Sequence, residues 1–410
     1  MTIAYPAHSP SLACDPRVWA LLFAASLTTM ANATIAPALT GLEAAYGDQP
    51  HAALLIRLLV PAPSLSIILF ASMAGMAVDR HGRKRVLMLG LVLFVLAGPA
   101  GYFLEDLSLI FGSRLLLGVG VALIMTAQTT IVGDLFTGSR RATLNGLQIS
   151  ARNLGGLVFI ALAGWLAGLS PHLPFLVYGL AILLLPLVAL SLHDISSAHQ
   201  REDGAAHRPH TDPQERDSES DHAGWFGQLL ALATLQGFTS LCFFLMPTQL
   251  PFYLQDLGYD SGAMTGILLA VLMFFGGVAA LWYGWLKRRV PYVIVFGSGY
   301  ALMALGMGLM ALDGGVWGLA SGAASVGFGF ALVMPNFVTL MLQLAPESHR
   351  GRASGILSTS IFLGQLLSPL ASMPVIAAFG FQGAFGLFGV ILALVAGIAF
   401  VQALRLSLPR

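Results

Sequence analysis

Long apolar runs separated by short polar segments form the main pattern of this chain. A helix needs ~20 mostly apolar residues to cross the ~30 Å hydrocarbon core of a bilayer. Twelve segments have that length, so the predicted fold class is an all-α membrane protein with twelve transmembrane helices. The predicted spans are 17–40, 52–75, 86–104, 109–133, 142–168, 173–192, 226–254, 262–286, 292–311, 315–341, 353–379 and 381–404.

One long hydrophilic segment, 193–224, interrupts this pattern between the sixth and seventh spans. It is rich in His, Asp, Glu, Ser and Arg, a composition typical of a flexible linker. We therefore predict an N-terminal six-helix bundle in residues 1–192, a cytoplasmic linker in 193–224 and a C-terminal six-helix bundle in 225–410. The histidines of the linker lack the ligand spacing of a structural metal site, so we predict no metal.

The composition limits the class of protein further. Only 10% of the 410 residues are charged, whereas 57% are hydrophobic. A soluble domain carries about 25% charged residues, so a water-soluble surface is excluded, and so is a disordered chain. The net charge of +1 gives no basic excess for a nucleic-acid partner. The two cysteines are too few for a disulfide framework.

The Lys and Arg residues are distributed unequally between the two sides of the predicted membrane. Arg57, Arg114 and Arg152 lie within spans, and every other Lys or Arg lies at a terminus or in a connection on the linker side. The opposite connections hold acidic residues, such as Glu43 and Asp256. Because cytoplasmic loops are enriched in Lys and Arg, we predict a multi-pass protein of the cytoplasmic (inner) membrane with both termini cytoplasmic.

The two predicted halves also repeat each other in sequence. The segment Gly118-Val-Gly-Val-Ala-Leu-Ile-Met125 returns, 209 residues later, as Gly327-Phe-Gly-Phe-Ala-Leu-Val-Met334. The same offset pairs Arg141 with Arg350 and Gly155 with Gly364. Parallel repeats about an axis normal to the membrane occur in secondary transporters, whose substrate site lies between the halves near the midplane.

A charged turn follows the second span. Its defining residues are Gly75, Asp79, Arg80, Gly82, Arg83 and Lys84, and Gly82 is free to adopt a positive φ. If the turn only held the loop on the cytoplasmic side through its positive charge, its cations would be explained, but its carboxylate and the spacing of its glycines would not. The turn resembles the signature loop of the major facilitator superfamily (MFS), from which only Ala77 departs, where leucine is usual. Arg114-x-x-x-Gly118-x-Gly120-x-Ala122 resembles the fourth-helix pattern of the same family, with Leu117 where many drug antiporters have glutamine.

The resemblance covers essentially the whole chain and implies two pseudo-symmetric six-helix bundles that rock about a central site. It implies a conformational latch in which Asp79 faces the start of the eleventh helix near Gly351, where the helix dipole favours a carboxylate. Arg83 would pair with Asp134. The resemblance further implies a monomeric transporter of a small molecule, driven by an ion gradient, foremost of protons, with no bound cofactor.

One departure narrows the branch of the family. Many drug/proton antiporters carry a Gly-Pro pair in the fifth helix, and Phe159 and Ile160 occupy that place here. The antiporter label is thereby weakened but stays open, and the chain resembles the twelve-helix drug/metabolite efflux branch, with export as the expected direction.

Buried charge within a bilayer marks function, and here it comes from arginine. No acid lies deep in a predicted span, whereas Arg152 lies near the midplane on one helical face with Gln148, and Arg114 shares a face with Gln128. Arg114 has an alternative role as a structural residue bonded to helix carbonyls. Arg57 faces either the cavity or the membrane interface. The neutral cavity candidates are Asn32, Gln249 and Asn336.

Arginine does not release its proton, so an arginine-bearing cavity without an acid favours an anionic or zwitterionic substrate. A lipophilic cation would find no counter-charge. The alternative within transport is a proton-coupled multidrug efflux antiporter in which Asp134 carries the proton. A polytopic enzyme is the remote alternative, since the spans contain no nucleophile–base pair or metal-ligand cluster. A non-transporting receptor would have no use for the latch residues.

Overall fold

The computed structural model describes residues 15–192, 222–312, 314–346 and 349–407, and in these ranges the chain is almost entirely helical. The predicted linker at 193–224 lies outside the described residues except for the first turn of a helix that begins at His222. We number the membrane helices α1 to α12. They are α1 Pro16–Tyr46, α2 Ala62–His81, α3 Arg83–Phe103, α4 Leu107–Leu135, α5 Gly138–Ala167, α6 Pro174–Ser191, α7 His222–Asp256, α8 Ser261–Lys287, α9 Tyr292–Ala311, α10 Gly315–Leu344, and α11 and α12 within Arg350–Ser407.

The predicted number of spans agrees with the described residues when the last helical stretch is divided at one glycine. The described residues form eleven continuous stretches that are long and apolar enough to cross a membrane. The last stretch, Arg350–Ser407, has 58 residues, about three times the length that a bilayer accommodates. Gly380 interrupts it with φ 69° and ψ 177°, a conformation that favours glycine. Gly380 therefore separates α11 from α12.

The second predicted span, 52–75, is wrong at both ends. The structure forms a short helix, Ala52–Leu58, before a break, and α2 runs from Ala62 to His81. Pro61 precedes α2 and has no N–H to continue the short helix. Gly82 ends α2 with φ 86°, the positive φ that the sequence allowed, and α3 begins directly after it.

The repeat seen in the sequence is a repeat of helix contacts. A Cβ added at Gly90 of α3 would lie 2.9 Å from the carbonyl oxygen of Gly120 in α4. A Cβ added at Gly299 of α9 would lie 2.9 Å from the carbonyl oxygen of Gly329 in α10. Gly299 and Gly329 each follow their first-half counterparts by 209 positions. Small residues let helix backbones approach closely where no hydrophobic effect drives association.

Two of the seams along which the halves meet are α5 with α8 and α2 with α11. Along the first seam, a Cβ at Gly164 would lie 2.5 Å from the Cα of Gly266. Nearer the middle of the helices, a Cβ at Gly277 would lie 3.6 Å from the Cβ of Asn153. We call the end of the molecule beyond Gly164 the acidic end, because Glu43, Glu105, Asp106, Asp256 and Asp260 lie there, and the opposite end, with Arg83, Lys84 and Lys287, the basic end.

Toward the basic end, glycines of these four helices have open space beside them. About two turns beyond Asn153 and Gly277, the next pair of residues along the α5–α8 seam is Gly146 and Gly284. A Cβ added at either of these glycines would meet nothing within 4 Å. Gly75 of α2 and Gly355 of α11 also stand in open space. We infer that the halves are closed together at the acidic end and that a cavity opens between them at the basic end.

The glycine contact in the α5–α8 seam leads to a first testable prediction. Gly266→Ala places a methyl group against the backbone of Gly164, and overpacking of this kind costs about 1–3 kcal/mol. We expect the closed acidic end to be populated roughly tenfold less. The measurement is oxidative cross-linking of Thr40→Cys with Ser261→Cys, whose native hydroxyls are hydrogen bonded across the halves.

Gly277→Ala is the matched control, because its added Cβ finds only an ordinary contact with Asn153. Its cross-linking rate should equal that of the parent. Equal rates for Gly266→Ala and Gly277→Ala would contradict the close seam.

Candidate substrate cavity and conformational latch

Arg152 faces the space between the halves. The lipid-facing side of α5 is marked by Leu154, Val158 and Trp165, which are 62%, 59% and 64% exposed. Arg152 lies on the opposite side with Gly156, which packs between Thr29 of α1 and Met273 of α8. Since Arg152 is one turn closer to the basic end, it lies where the seam opens into the cavity.

The guanidinium of Arg152 has no compensating charge. Among the described residues no carboxylate lies within ion-pair distance of it, and its buried Nε has no hydrogen-bond partner. Gln148, one turn away on the same face, likewise has a buried amide nitrogen without a partner. Unpaired buried donors are costly, so both groups are available to a ligand that supplies acceptor oxygens.

Asn336 lies in the second half, and both the nitrogen and the oxygen of its side chain have a partner. Its side-chain nitrogen donates to the carbonyl oxygen of Leu332 at 2.8 Å, and its Oδ1 accepts from the hydroxyl of Tyr283 at 3.0 Å. The pair ties α8 to α10. The residue 209 positions before Tyr283 is Ala74, which has no side-chain hydroxyl. The sequence repeat therefore did not indicate that Tyr283 is a hydrogen-bond partner.

Arg114 lies inside the first half and not on the cavity. Its side chain is completely buried, and Nη2 donates to the carbonyl oxygens of Ala97, at 3.1 Å, and of Gly98. The guanidinium also stacks 4.6 Å from the ring centroid of Tyr178 and 5.0 Å from that of Phe175. The structure therefore corrects Arg114 as a cavity candidate and supports the alternative of a structural arginine.

Three amide candidates are also internal or interfacial rather than freely facing the cavity. Gln128 donates to the carbonyl oxygen of Leu21 at 2.8 Å within the first half. Gln249 donates to the hydroxyl of Ser372 at 2.9 Å within the second half. Asn32 lies on the α1 side of the interface, where it contacts the second half.

The latch turn is assembled around an ion pair. Nε of Arg83, at the start of α3, lies 2.7 Å from Oδ2 of Asp134 at the end of α4. The N–H does not point at the oxygen, so this is an ion pair without hydrogen-bond geometry. Nζ of Lys84 donates to the carbonyl oxygen of Ala189 at 2.9 Å, which attaches the turn to α6.

Asp79 and Arg80 are exposed, and neither forms an ion pair within the described ranges. Ser64 of α2 is hydrogen bonded to Gln365 of α11, and counting along both helices from this pair brings Asp79 level with Gly351. A Cβ added at Gly351 would meet nothing within 4 Å. Among the described residues, Asp79 thus has no ion-pair partner, and the space beside the Cα of Gly351 is open.

Arg57 lies near the acidic end, where it contacts both halves. Its Nη1 donates to Oε1 of Glu43 at 3.3 Å, and its guanidinium lies 4.1 Å from the ring centroid of Phe252 in the second half. Nothing in the sequence pairs Arg57 with Phe252, since they belong to different halves. The described residues contain no group of three His, Cys, Asp or Glu side chains that could hold a metal ion.

Comparisons with known proteins agree with this architecture. The family model described as Major Facilitator Superfamily matches residues 21–369 and 261–408. Multidrug resistance protein 2 of Bacillus subtilis (strain 168) is 34% identical over 117 residues, which are 28% of this chain and 29% of that protein. Multidrug resistance protein 1 of the same organism is 22% identical over 322 residues, covering 75% of this chain and 77% of that protein.

The chain thus spans less than a third of the first of these relatives and about three quarters of the second. Among solved structures, a D-xylose-proton symporter superposes with a TM-score of 0.75 at 16% sequence identity, covering 94% of this chain and 96% of that one. At that identity the likeness shows the fold alone.

Proposed function

Because the chain belongs to the Major Facilitator Superfamily, we propose that it is a secondary active transporter that exports an anionic or zwitterionic small molecule. Alternating access moves the substrate by rocking of two six-helix halves around a central site. The ion gradient that drives transport is foremost that of protons. The multi-pass architecture places the protein in a lipid bilayer. A monomer is sufficient for transport, because one chain contains both halves of the site.

The unpaired guanidinium of Arg152 supports the choice of substrate class. It lies at the inner end of the cavity beside the amide of Gln148, and each of the two groups has a buried nitrogen donor without a partner. A carboxylate accepts two parallel hydrogen bonds from a guanidinium, which gives geometric specificity as well as binding energy. A substrate with an exposed carboxylate therefore supplies what the site lacks.

The likeness to two multidrug resistance proteins supports export as the direction. The positive-inside distribution of Lys and Arg supports a cytoplasmic location for the basic end. A cavity open to the cytoplasm loads substrate from inside the cell, and the rocking of the halves releases it on the opposite side.

A proton-coupled multidrug efflux antiporter is the second candidate function. The observation in its favour is the likeness to the two multidrug resistance proteins. In that case Asp134 would carry the proton, and protonation would break its ion pair with Arg83.

Transport in proteoliposomes with an imposed pH gradient separates the two candidates. We expect the purified protein to move organic carboxylates and to leave lipophilic cations untouched. Gradient-driven movement of lipophilic cations without carboxylate movement would establish the second candidate instead. Absence of either movement by folded protein would contradict both.

The latch residues give a second prediction. Asp79→Asn removes the carboxylate that the positive end of α11 attracts when the cytoplasmic end closes. We expect transport to fall about tenfold, with unchanged yield and heat stability, because Asp79 is exposed and makes no ion pair among the described residues here. Asp48→Asn, an exposed acid at the opposite end, is the control. Normal transport by well-expressed Asp79→Asn would refute the latch.

A further inference from the structure

A single glutamine of α11 holds both α1 and α2 of the other half. Oε1 of Gln365 accepts a hydrogen bond from Nδ2 of Asn32 at 3.2 Å and another from the hydroxyl of Ser64 at 2.6 Å. We propose that Gln365 is the positioning residue that keeps the acidic end closed, and that both bonds must break before the cavity opens there. This proposal rests on the alternating access proposed above.

Gln365 lies at the boundary between the closed seam and the cavity. It is 7% exposed, and Ser64 opposite it is fully buried. About three turns further toward the basic end along the same two helices, Gly75 and Gly355 stand in open space. Among the hydrogen bonds between the halves in the described residues, those of Gln365 thus lie nearest to this open space.

The chemistry of the amide makes this contact depend on one atom. A carbonyl oxygen has two lone pairs, and the two donors from the first half occupy both. Oδ1 of Asn32 has no hydrogen-bond partner, so the contact of this amide with the second half depends on Gln365. Removing the acceptor leaves two buried donors unpaired in the closed state, whereas opening of the acidic end would hydrate them.

The other polar contacts between the halves lie nearer the acidic surface. Thr40 is hydrogen bonded to Ser261, and Arg57 stacks on Phe252 while it pairs with Glu43. The Arg57 and Glu43 side chains are 17% and 32% exposed, so water competes with their pairing. Water competes less at Gln365, which makes its bonds the more decisive ones for the closed end.

Distance measurement between spin labels tests the proposal without any substrate. The labels are attached at Ala45→Cys and Gln255→Cys, two exposed positions on opposite halves at the acidic end, in the full chain with Cys14→Ser and Cys242→Ala. We expect Gln365→Leu to raise the open fraction about tenfold, seen as a longer-distance population. Gln365→Glu keeps an acceptor oxygen and should restore the short distance.

Gln236→Leu is the matched control, because this buried glutamine of the same half accepts its hydrogen bond from Ser360 within that half. Its distances should equal those of the parent. Asn32→Leu and Ser64→Ala each remove one donor and should each raise the open fraction about threefold, which covers the case in which Gln365→Leu does not fold.

Unchanged distances in Gln365→Leu, or in both single-donor variants, would overturn the proposal. An equal shift in Gln236→Leu would also overturn it, since loss of any buried amide would then suffice. Failure of carboxylate transport with the distance shift intact would contradict the proposed substrate and leave the role of Gln365 standing.

Discussion

Arg152→Ala is expected to abolish transport of carboxylate substrates while the protein remains folded. The guanidinium lies at the inner end of the cavity without an ion-pair partner among the described residues, so the fold does not depend on its charge. A hydrogen bond to a charged group contributes about 1.5–3 kcal/mol, which corresponds to roughly 10- to 100-fold in apparent affinity. Concentration-dependent uptake into proteoliposomes, with heat stability measured in parallel, provides the test.

Two further variants separate the geometry of Arg152 from its charge. Arg152→Lys retains the charge but not the planar fork, so an intermediate affinity is expected. Arg289→Ala removes an exposed arginine that stacks 4.4 Å from the ring centroid of Trp285, and it should transport normally. Normal carboxylate uptake by Arg152→Ala would disprove the proposed site, as would export of lipophilic cations to which this variant is indifferent.

Arg114→Leu is expected to have the opposite effect, a loss of stability. The substitution removes the donor that satisfies the carbonyl oxygens of Ala97 and Gly98 inside the first half. It also removes the cation that stacks on Tyr178 and Phe175. Buried charge-assisted hydrogen bonds and desolvated cation–π contacts each contribute about 2 kcal/mol. We therefore expect the midpoint of heat-induced aggregation, followed by size-exclusion chromatography, to fall by several degrees.

Whatever Arg114→Leu protein remains folded should bind the carboxylate substrate with the affinity of the parent. Arg114→Lys should recover part of the stability, because an ammonium reaches a carbonyl without forming the fork. A heat-stable Arg114→Leu variant that does not transport would place Arg114 in the transport pathway after all.

The contrast between these two arginines shows where sequence reasoning ends. Both are single cations within apolar runs, and the residue type and helical spacing describe them in the same way. Their partners differ because α3 and α6 surround Arg114, whereas α5 presents Arg152 to the gap between the halves. Which helices neighbour a residue is a property of packing, and hydrophobic periodicity does not contain it.

The sequence by itself determined the features that depend on short segments. The length of apolar runs set the number of spans because the bilayer has a fixed thickness, and the 209-residue offset revealed the repeat that later appeared as matching glycine contacts. Gly82 was identified as a turn residue because only its own backbone had to be considered. A family resemblance carried by the latch turn agreed with the family model.

The tertiary structure alone decided which end of the molecule is closed and which residues close it. The stacking of Arg57 on Phe252 and the bonds of Gln365 to Asn32 and Ser64 join residues that lie far apart in sequence. A transporter of this kind has alternative packings of the same helices, so one sequence is compatible with more than one set of such contacts. Only the arrangement of the halves in space shows which set is formed.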